Sequence, residues 1–140
     1  MKFEYPEDEK FFADLLTNGD ITKLHTQYTH LFDFNHPAIK RWEFNKVSKK
    51  LLQELMEKYE GKCQLCIHPD CSKEAKFECD HIIPLSTNEL NKTLRNMKRV
   101  SKEKVSAQSF GSNHVDNLIL ACKRCNAFKK HKILPHKFHS

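Results

Sequence analysis

The sequence predicts an α+β chain, with a helical N-terminal region followed by two short strands and a small helix around metal-binding cysteines. Three observations carry that expectation. Phe44, Val47, Leu51, Leu52, Leu55 and Tyr59 recur at helical spacing. KFEC (76–79) alternates like a strand, and DNLILAC (116–122) is rich in strand-forming residues. Cys63-Gln64-Leu65-Cys66 and Cys122-Lys123-Arg124-Cys125 are two C-x2-C pairs that flank those strands.

The elements follow in order. Pro6 with Glu7, Asp8 and Glu9 opens a first helix, acids lying near the positive end of its dipole, and Asn18-Gly19 stops it. Asp20 caps a second, whose Ile21, Leu24, Tyr28 and Leu31 keep helical spacing. After the turn FDFNHP, Pro37 opens the third and longest, which Gly61 ends. The strands come next, then a basic helix over KRCNAFKKHKIL (123–134). Between the strands lies a basic, polar insertion at about 87–113, where Leu90, Leu94 and Met97 suggest a further helix. Unstructured loops of that length are uncommon unless functional. The expected division is a helical region, 1–60, and a cysteine-framed domain, 61–140.

Composition says why metal is needed. Only 39% of the 140 residues are hydrophobic and 30% are charged, so the core is small. No window approaches 18 consecutive apolar residues, which argues against a membrane span. MKFEYPEDEKFF lacks the apolar centre of a secretory leader, so a cytoplasmic setting with reduced thiols is expected. Two C-x2-C turns can then supply Cys63, Cys66, Cys122 and Cys125 to one tetrahedral Zn²⁺. Cys71 could replace one of them or be an exposed thiol, the latter expected. Cys79 reads as a small buried hydrophobe.

Charge is unevenly placed. The formal net is +6, yet residues 1–20 carry −4, and residues 92–132 alone carry +9. That field suits a polyanion. Arg95, Lys98, Arg99 and Lys102, with Lys129 and Lys130, are the candidate phosphate contacts.

The chemistry concentrates in CDHIIPLS (79–86), where Asp80 and His81 adjoin an apolar pair. With the cysteines placed, the array reads C-x2-C, DHIIPLS, DNL, then C-x2-C-N-x2-K. Over residues 61–131 this closely resembles the HNH nuclease family, in a variant with Asn126 in place of the last histidine. The resemblance implies a ββα-metal, treble-clef-like core stapled by structural zinc. It also implies a metal-dependent endonuclease that hydrolyses phosphodiester bonds in double-stranded DNA, leaving 5′-phosphate and 3′-hydroxyl ends.

By that resemblance His81 is the general base, which its near-neutral intrinsic pKa suits. Asp80 and Asn126 are hard oxygen ligands for Mg²⁺ or Mn²⁺. Asn117 matches the family's middle Asn and supports the loop and the histidine ring. The family places its Asp-His pair where the first strand ends and bends, since neighbours on a straight strand face opposite ways. Lys129 could meet phosphate or hold the acid. His131 stands one residue past the best helical position to share Asn126's metal, and His114 reads as a solvent-exposed loop residue. The basic insertion departs from the family's shorter path at this point. The size fits a stand-alone restriction-like or phage-type enzyme, or one module of a larger assembly, and a homodimer is among the expectations. The acidic helical region would brace the knuckles. The competing reading is a non-catalytic zinc-knuckle module that binds nucleic acid.

Overall fold

In the computed structural model, residues 2–3, 6–67, 69–85 and 110–129 are described. Most of the insertion, with Leu90, Leu94, Arg95, Met97, Lys98, Arg99 and Lys102, lies outside them, as do Lys130 and His131. Helix α1 (Pro6–Thr17) ends in left-handed Asn18 (φ 54°) and Gly19 (φ 87°). The Gly19 N–H donates to the Ala13 carbonyl at 3.1 Å and satisfies one of the free carbonyls of the last turn. Asp20 caps α2 (Ile21–Thr26) by accepting from the Lys23 N–H.

The spacing extends α2 to Leu31, but the helix stops at Thr26 and residues Thr29–Leu31 form a 3₁₀ turn. Tertiary pairing overrides the periodicity here. Phe32 bridges to Gly111, the Asp33 N–H donates to the Phe110 carbonyl (2.8 Å), and the Ser112 N–H donates to the Leu31 carbonyl (2.9 Å). These bonds draw the chain out of a helical path.

Helix α3 (Pro37–Lys58) starts where His36 Nδ1 accepts from the Ala38 N–H and Pro37 occupies the first turn. Gly61 (φ 68°) ends it, its N–H on the Met56 carbonyl. Phe44 and Leu55 are buried on its inner face, while Val47 is 44% exposed. At 100° per residue, Val47 lies about 60° from Phe44, on the side away from Leu52 and Tyr59, and so at the edge of the stripe.

Strands β1 (Phe77–His81) and β2 (Leu118–Cys122) pair antiparallel, from Phe77 opposite Cys122 to His81 opposite Leu118. A 3₁₀ turn, Val115–Asn117, leads into β2, and helix α4 (Lys123–Lys129) leaves it without a break. The result is α+β, a mostly helical chain with one small antiparallel sheet. Residues of α3 pack with Leu118, Leu120, Phe77 and Cys79, on one face of the sheet. The other face, with Glu78 and Asp80, meets α4. Among the described residues no helix is long and apolar enough to cross a membrane.

The N-terminal region has its own apolar cluster, in which Phe3, Phe12, Leu24, Leu31 and Phe32 close around Ile83 and Phe110. Its packing therefore reaches the segment just after His81. The Phe3 ring sits 5.5–6.0 Å from those of Phe12, Phe32, Phe34 and Phe110, spacings typical of favourable aromatic pairs.

Lys40 ties α3 to the same segment. It is fully buried, and its Nζ donates to the carbonyls of Asp33 (2.8 Å) and Gly111 (3.0 Å). Burial pushes its pKa down to about 8, against the pull of the Asp33 carboxylate. Lys40→Met leaves both carbonyls short of a donor and is expected to cost about 2–3 kcal/mol in urea unfolding near pH 7. The unfolded lysine keeps its proton up to about pH 10.5 and the folded one only to about 8. The unfolded state thus binds more protons in that window, and stability rises with pH across it. Unfolding at several pH values should find wild type gaining up to about 3 kcal/mol relative to Lys40→Met as pH climbs through the window. A constant difference would contradict it.

Candidate active site and metal centre

Cys63 follows the end of α3, and the Gln64 N–H donates to the Leu120 carbonyl (2.8 Å), which lays this turn along β2. Cys122 closes β2 and Cys125 sits one turn into α4. The three sulfurs are buried and lie within 4.8 Å of one another. The Cys122 N–H points at the Cys63 sulfur (3.3 Å) and the Cys125 N–H at the Cys122 sulfur (3.4 Å). Burial pushes the Cys63 thiol up, but amides of Cys122, Cys66 and Leu65 outweigh it and hold its pKa below the ordinary value. Amides aimed at the Cys63 sulfur favour thiolate, the form that binds metal. At Cys122, by contrast, burial outweighs the Cys125 amide and pushes the thiol up to about 11. The trio can therefore hold an ion such as Zn²⁺.

Cys66 stands apart from the trio. It is exposed, takes a left-handed φ of 50°, and its thiol donates to the Cys63 carbonyl at 3.1 Å. Cys71 lies beside it, its pKa pushed up to about 12 by burial and by the neighbouring Cys66, Cys63 and Cys125. Two further thiols thus lie near the trio. Cys79 is half-buried against α3 and joins neither group.

Asp80 and His81 are the last two residues of β1, and the chain bends directly after them at Ile82 and Ile83. Both are paired in the ladder, so they face opposite sides of the sheet. His81 faces α3, its ring 4.7 Å from that of Phe44 and 8% exposed. His81 Nε2 lies 2.9 Å from Asn113 Oδ1, while Asn113 Nδ2 donates to the Lys40 carbonyl (2.9 Å). Because that carbonyl can only accept, it fixes which end of the amide is the donor. Asn113 then presents its oxygen to His81, Nε2 carries the proton, and Nδ1 keeps a free lone pair. Burial pushes the His81 pKa down to about 4, with the positive charges of Arg41, Lys129 and Lys40 adding to it and Asn113 opposing. His81 is neutral at pH 7.

Asn117 is fully buried and clamps the chain just beyond His81. Its Oδ1 accepts from the Ile83 N–H (2.9 Å), and its Nδ2 donates to the carbonyls of Ile83 (3.0 Å) and Ser112 (2.8 Å). Its backbone carbonyl accepts from Ile82 (2.9 Å).

On the opposite face Asp80 is 5% exposed and ion-paired with Lys129, whose Nζ lies 2.9 Å from Oδ2 and 3.1 Å from Oδ1. Lys129 also donates to the His81 carbonyl (2.9 Å). It is 2% exposed and turned inward, onto the acid instead of a surface phosphate. Burial raises the Asp80 pKa, Lys129 opposes this, and Glu78 adds to it. Asn126, one turn before Lys129, donates through Nδ2 to Glu78 Oε1 (3.3 Å). So Asp80 and Asn126 share this side of the sheet, but each is engaged by a different partner. A cleft of about 330 Å³ opens beside Asn126, lined by Arg41, Lys49, Phe44, Phe77 and Glu78 among others.

Asn113 is the functional residue that sequence reasoning missed. It sits in SFGSNHVD, where Ser, Gly and Asn signal a turn, and nothing local ties it to a histidine 32 residues away. Compared with models of protein families, with curated proteins and with solved structures, the chain matches none.

Proposed function

We propose that this chain is a metal-dependent endonuclease of the HNH type, acting on double-stranded DNA. The observation that carries the reading is the state of His81. It is a neutral imidazole at the end of a strand, with Nε2 committed to Asn113 and no hydrogen bond on Nδ1 among the described residues. Asn113 and Asn117 fix its position, which suits a general base. The burial that lowers its pKa weakens it as one, and a bound phosphate's negative charge would offset that.

In the proposed mechanism, His81 Nδ1 takes the proton of a water attacking the phosphorus, and the 3′ oxygen leaves. Asp80 and Asn126 are hard oxygen donors on one side of the sheet, and Asp80 is now paired with Lys129, whose Nζ lies 2.9 Å from Oδ2. The donor types fit a hard divalent ion, and these two residues would hold it. Such an ion, Mg²⁺ or Mn²⁺, supplies charge neutralisation at the phosphate and the departing oxygen. Lys129 favours the ionised form of Asp80 against the burial that raises its pKa. Zinc on Cys63, Cys122 and Cys125, with Cys66 as the fourth ligand, staples the first knuckle to α4. The expected products carry 5′-phosphate and 3′-hydroxyl ends.

Cleavage of supercoiled plasmid, with EDTA, Mg²⁺ and Mn²⁺ in parallel, tests the reading. His81→Ala should lower the metal-dependent rate of the folded protein by about 10²–10⁴-fold and leave DNA affinity near wild type. It should also cost about 1–3 kcal/mol of stability, because Asn113 Oδ1 loses its donor. Equal rates for wild type and variant would overturn it, as would no cutting of DNA by zinc-loaded wild type. The Asp80–Lys129 pair specifically favours a second reading, because it already neutralises the acid without an ion. Under that reading the chain is a non-catalytic zinc-knuckle module that binds nucleic acid, and His81→Ala changes neither cutting nor binding.

A further inference from the structure

The junction between the N-terminal region and the strand-carrying segment holds a second group of metal-ligating side chains, independent of the nuclease reading. His30 Nε2 lies 2.9 Å from Asp116 Oδ2, and His114 Nδ1 lies 3.7 Å from the same oxygen. The two imidazole rings meet edge to face at 4.6 Å. One ligand atom from each residue falls within 4.8 Å of the other two. Donors bound to one tetrahedral zinc at about 2.0–2.1 Å stand roughly 3.4 Å apart, so a small closure of the group seats an ion.

The group is held from below. Ser112 Oγ donates to the His30 carbonyl (2.7 Å) and accepts from the His114 N–H (3.2 Å), while the Ser112 N–H donates to the Leu31 carbonyl. Ser112 is 7% exposed, so both histidine backbones are fixed to one buried hydroxyl. The ligating side chains themselves are 36–46% exposed, open to an ion and to a water in the fourth position.

We propose that His30, His114 and Asp116 form a second divalent metal site that takes a borderline transition ion, Zn²⁺ in the first place. Two imidazoles and one carboxylate are a donor set for Zn²⁺, and by ligand type also for Co²⁺ or Ni²⁺. To bind through Nδ1, His114 releases the Asp116 N–H that it now caps at 3.1 Å, a modest loss against a metal–ligand bond. The ion joins residues 84 positions apart in the chain. It fastens the N-terminal region to the segment that carries Asn113 and Asn117.

The test loads the cysteine site first, with one equivalent of Zn²⁺, and then titrates further Zn²⁺ by calorimetry, with stoichiometry checked by native mass spectrometry. Wild type should take up an additional ion and melt at a higher temperature with it. His30→Ala and His114→Ala, both at accessible positions, should keep the cysteine-bound ion. Each should weaken the additional one more than about 100-fold, since loss of a mere partner of a ligand costs 10–100-fold. Uptake in both variants equal to wild type would overturn the site, as would wild type that binds no ion beyond the cysteine-bound one.

Discussion

Cys122→Ser and Cys125→Ser are expected to abolish zinc binding at the cysteine site and to unfold α4 together with the Cys122 end of the sheet. Cys122 is the last residue of β2, and its sulfur accepts the Cys125 N–H, so one residue ends the strand and orders the start of the helix. What packs around these sulfurs is thin, with Ala121, Leu65, Cys71 and Phe77 the main neighbours. An ion binding a structural cysteine site contributes about 10–16 kcal/mol in zinc-finger peptides, against a total stability of about 5–15 kcal/mol for an ordinary domain. Losing it leaves α4 and the cysteine end of the sheet with little to hold them, while Leu118 and Leu120 still pack on α3. The aromatic cluster around Phe3 and Phe12 does not touch the cysteines, so some helical signal should persist. Zinc content and circular dichroism melting check the prediction, with Cys79→Ala as the control that keeps its ion. A variant with full zinc and an unchanged melt would remove the idea that this cluster holds a structural metal.

Gly111→Ala should destabilise the protein by about 3 kcal/mol or more, at or above the usual range for overpacking. A Cβ built there would stand 1.7 Å from the Ile83 carbonyl oxygen, 2.6 Å from its carbon and 2.8 Å from the Pro84 oxygen. These are backbone atoms, so no side chain can swing away. Ile83 is held by Asn117 on both its N–H and its carbonyl, and Gly111 by Pro84, Phe32 and Lys40. Relief must come by moving 110–113 away from the end of β1. That motion carries Asn113 from His81 and frees the ring, so activity should fall further than the stability loss alone accounts for. Urea unfolding measures the first effect, and cleavage by the folded fraction the second. A loss under about 1 kcal/mol would show that the segment yields more easily than its hydrogen bonds suggest.

What could be read beforehand was local. Pro37, Asn18-Gly19 and Gly61 mark helix ends through their own backbone preferences, and the third helix runs between two of those marks. The C-x2-C turns brought Cys63, Cys122 and Cys125 together, whereas Cys66 faces a carbonyl that no spacing rule contains. Strand alternation anticipated β1 and β2 but ended the first too early, because Asp80 and His81 are poor strand formers held in register by Ile119 and Leu118. Lys40 resembles any surface lysine on a helix until the carbonyls of Asp33 and Gly111 are seen around it. The Asp80–Lys129 and Asn113–His81 contacts join residues 49 and 32 apart. Long-range polar contacts of this kind leave no periodic trace, since the same residues serve equally well in solvated turns.

The bond between Gly111 N–H and the Pro84 carbonyl, at 3.0 Å, has a consequence for how this protein can change over evolutionary time. It closes the insertion at its base, with Leu85 and Phe110 buried on either side. A segment pinned at its neck can be lengthened, shortened or exchanged with little penalty, about 0.6 kcal/mol for each doubling of a flexible loop. A change of length beyond this neck therefore leaves in place the bonds that Asn113 and Asn117 make at the end of β1.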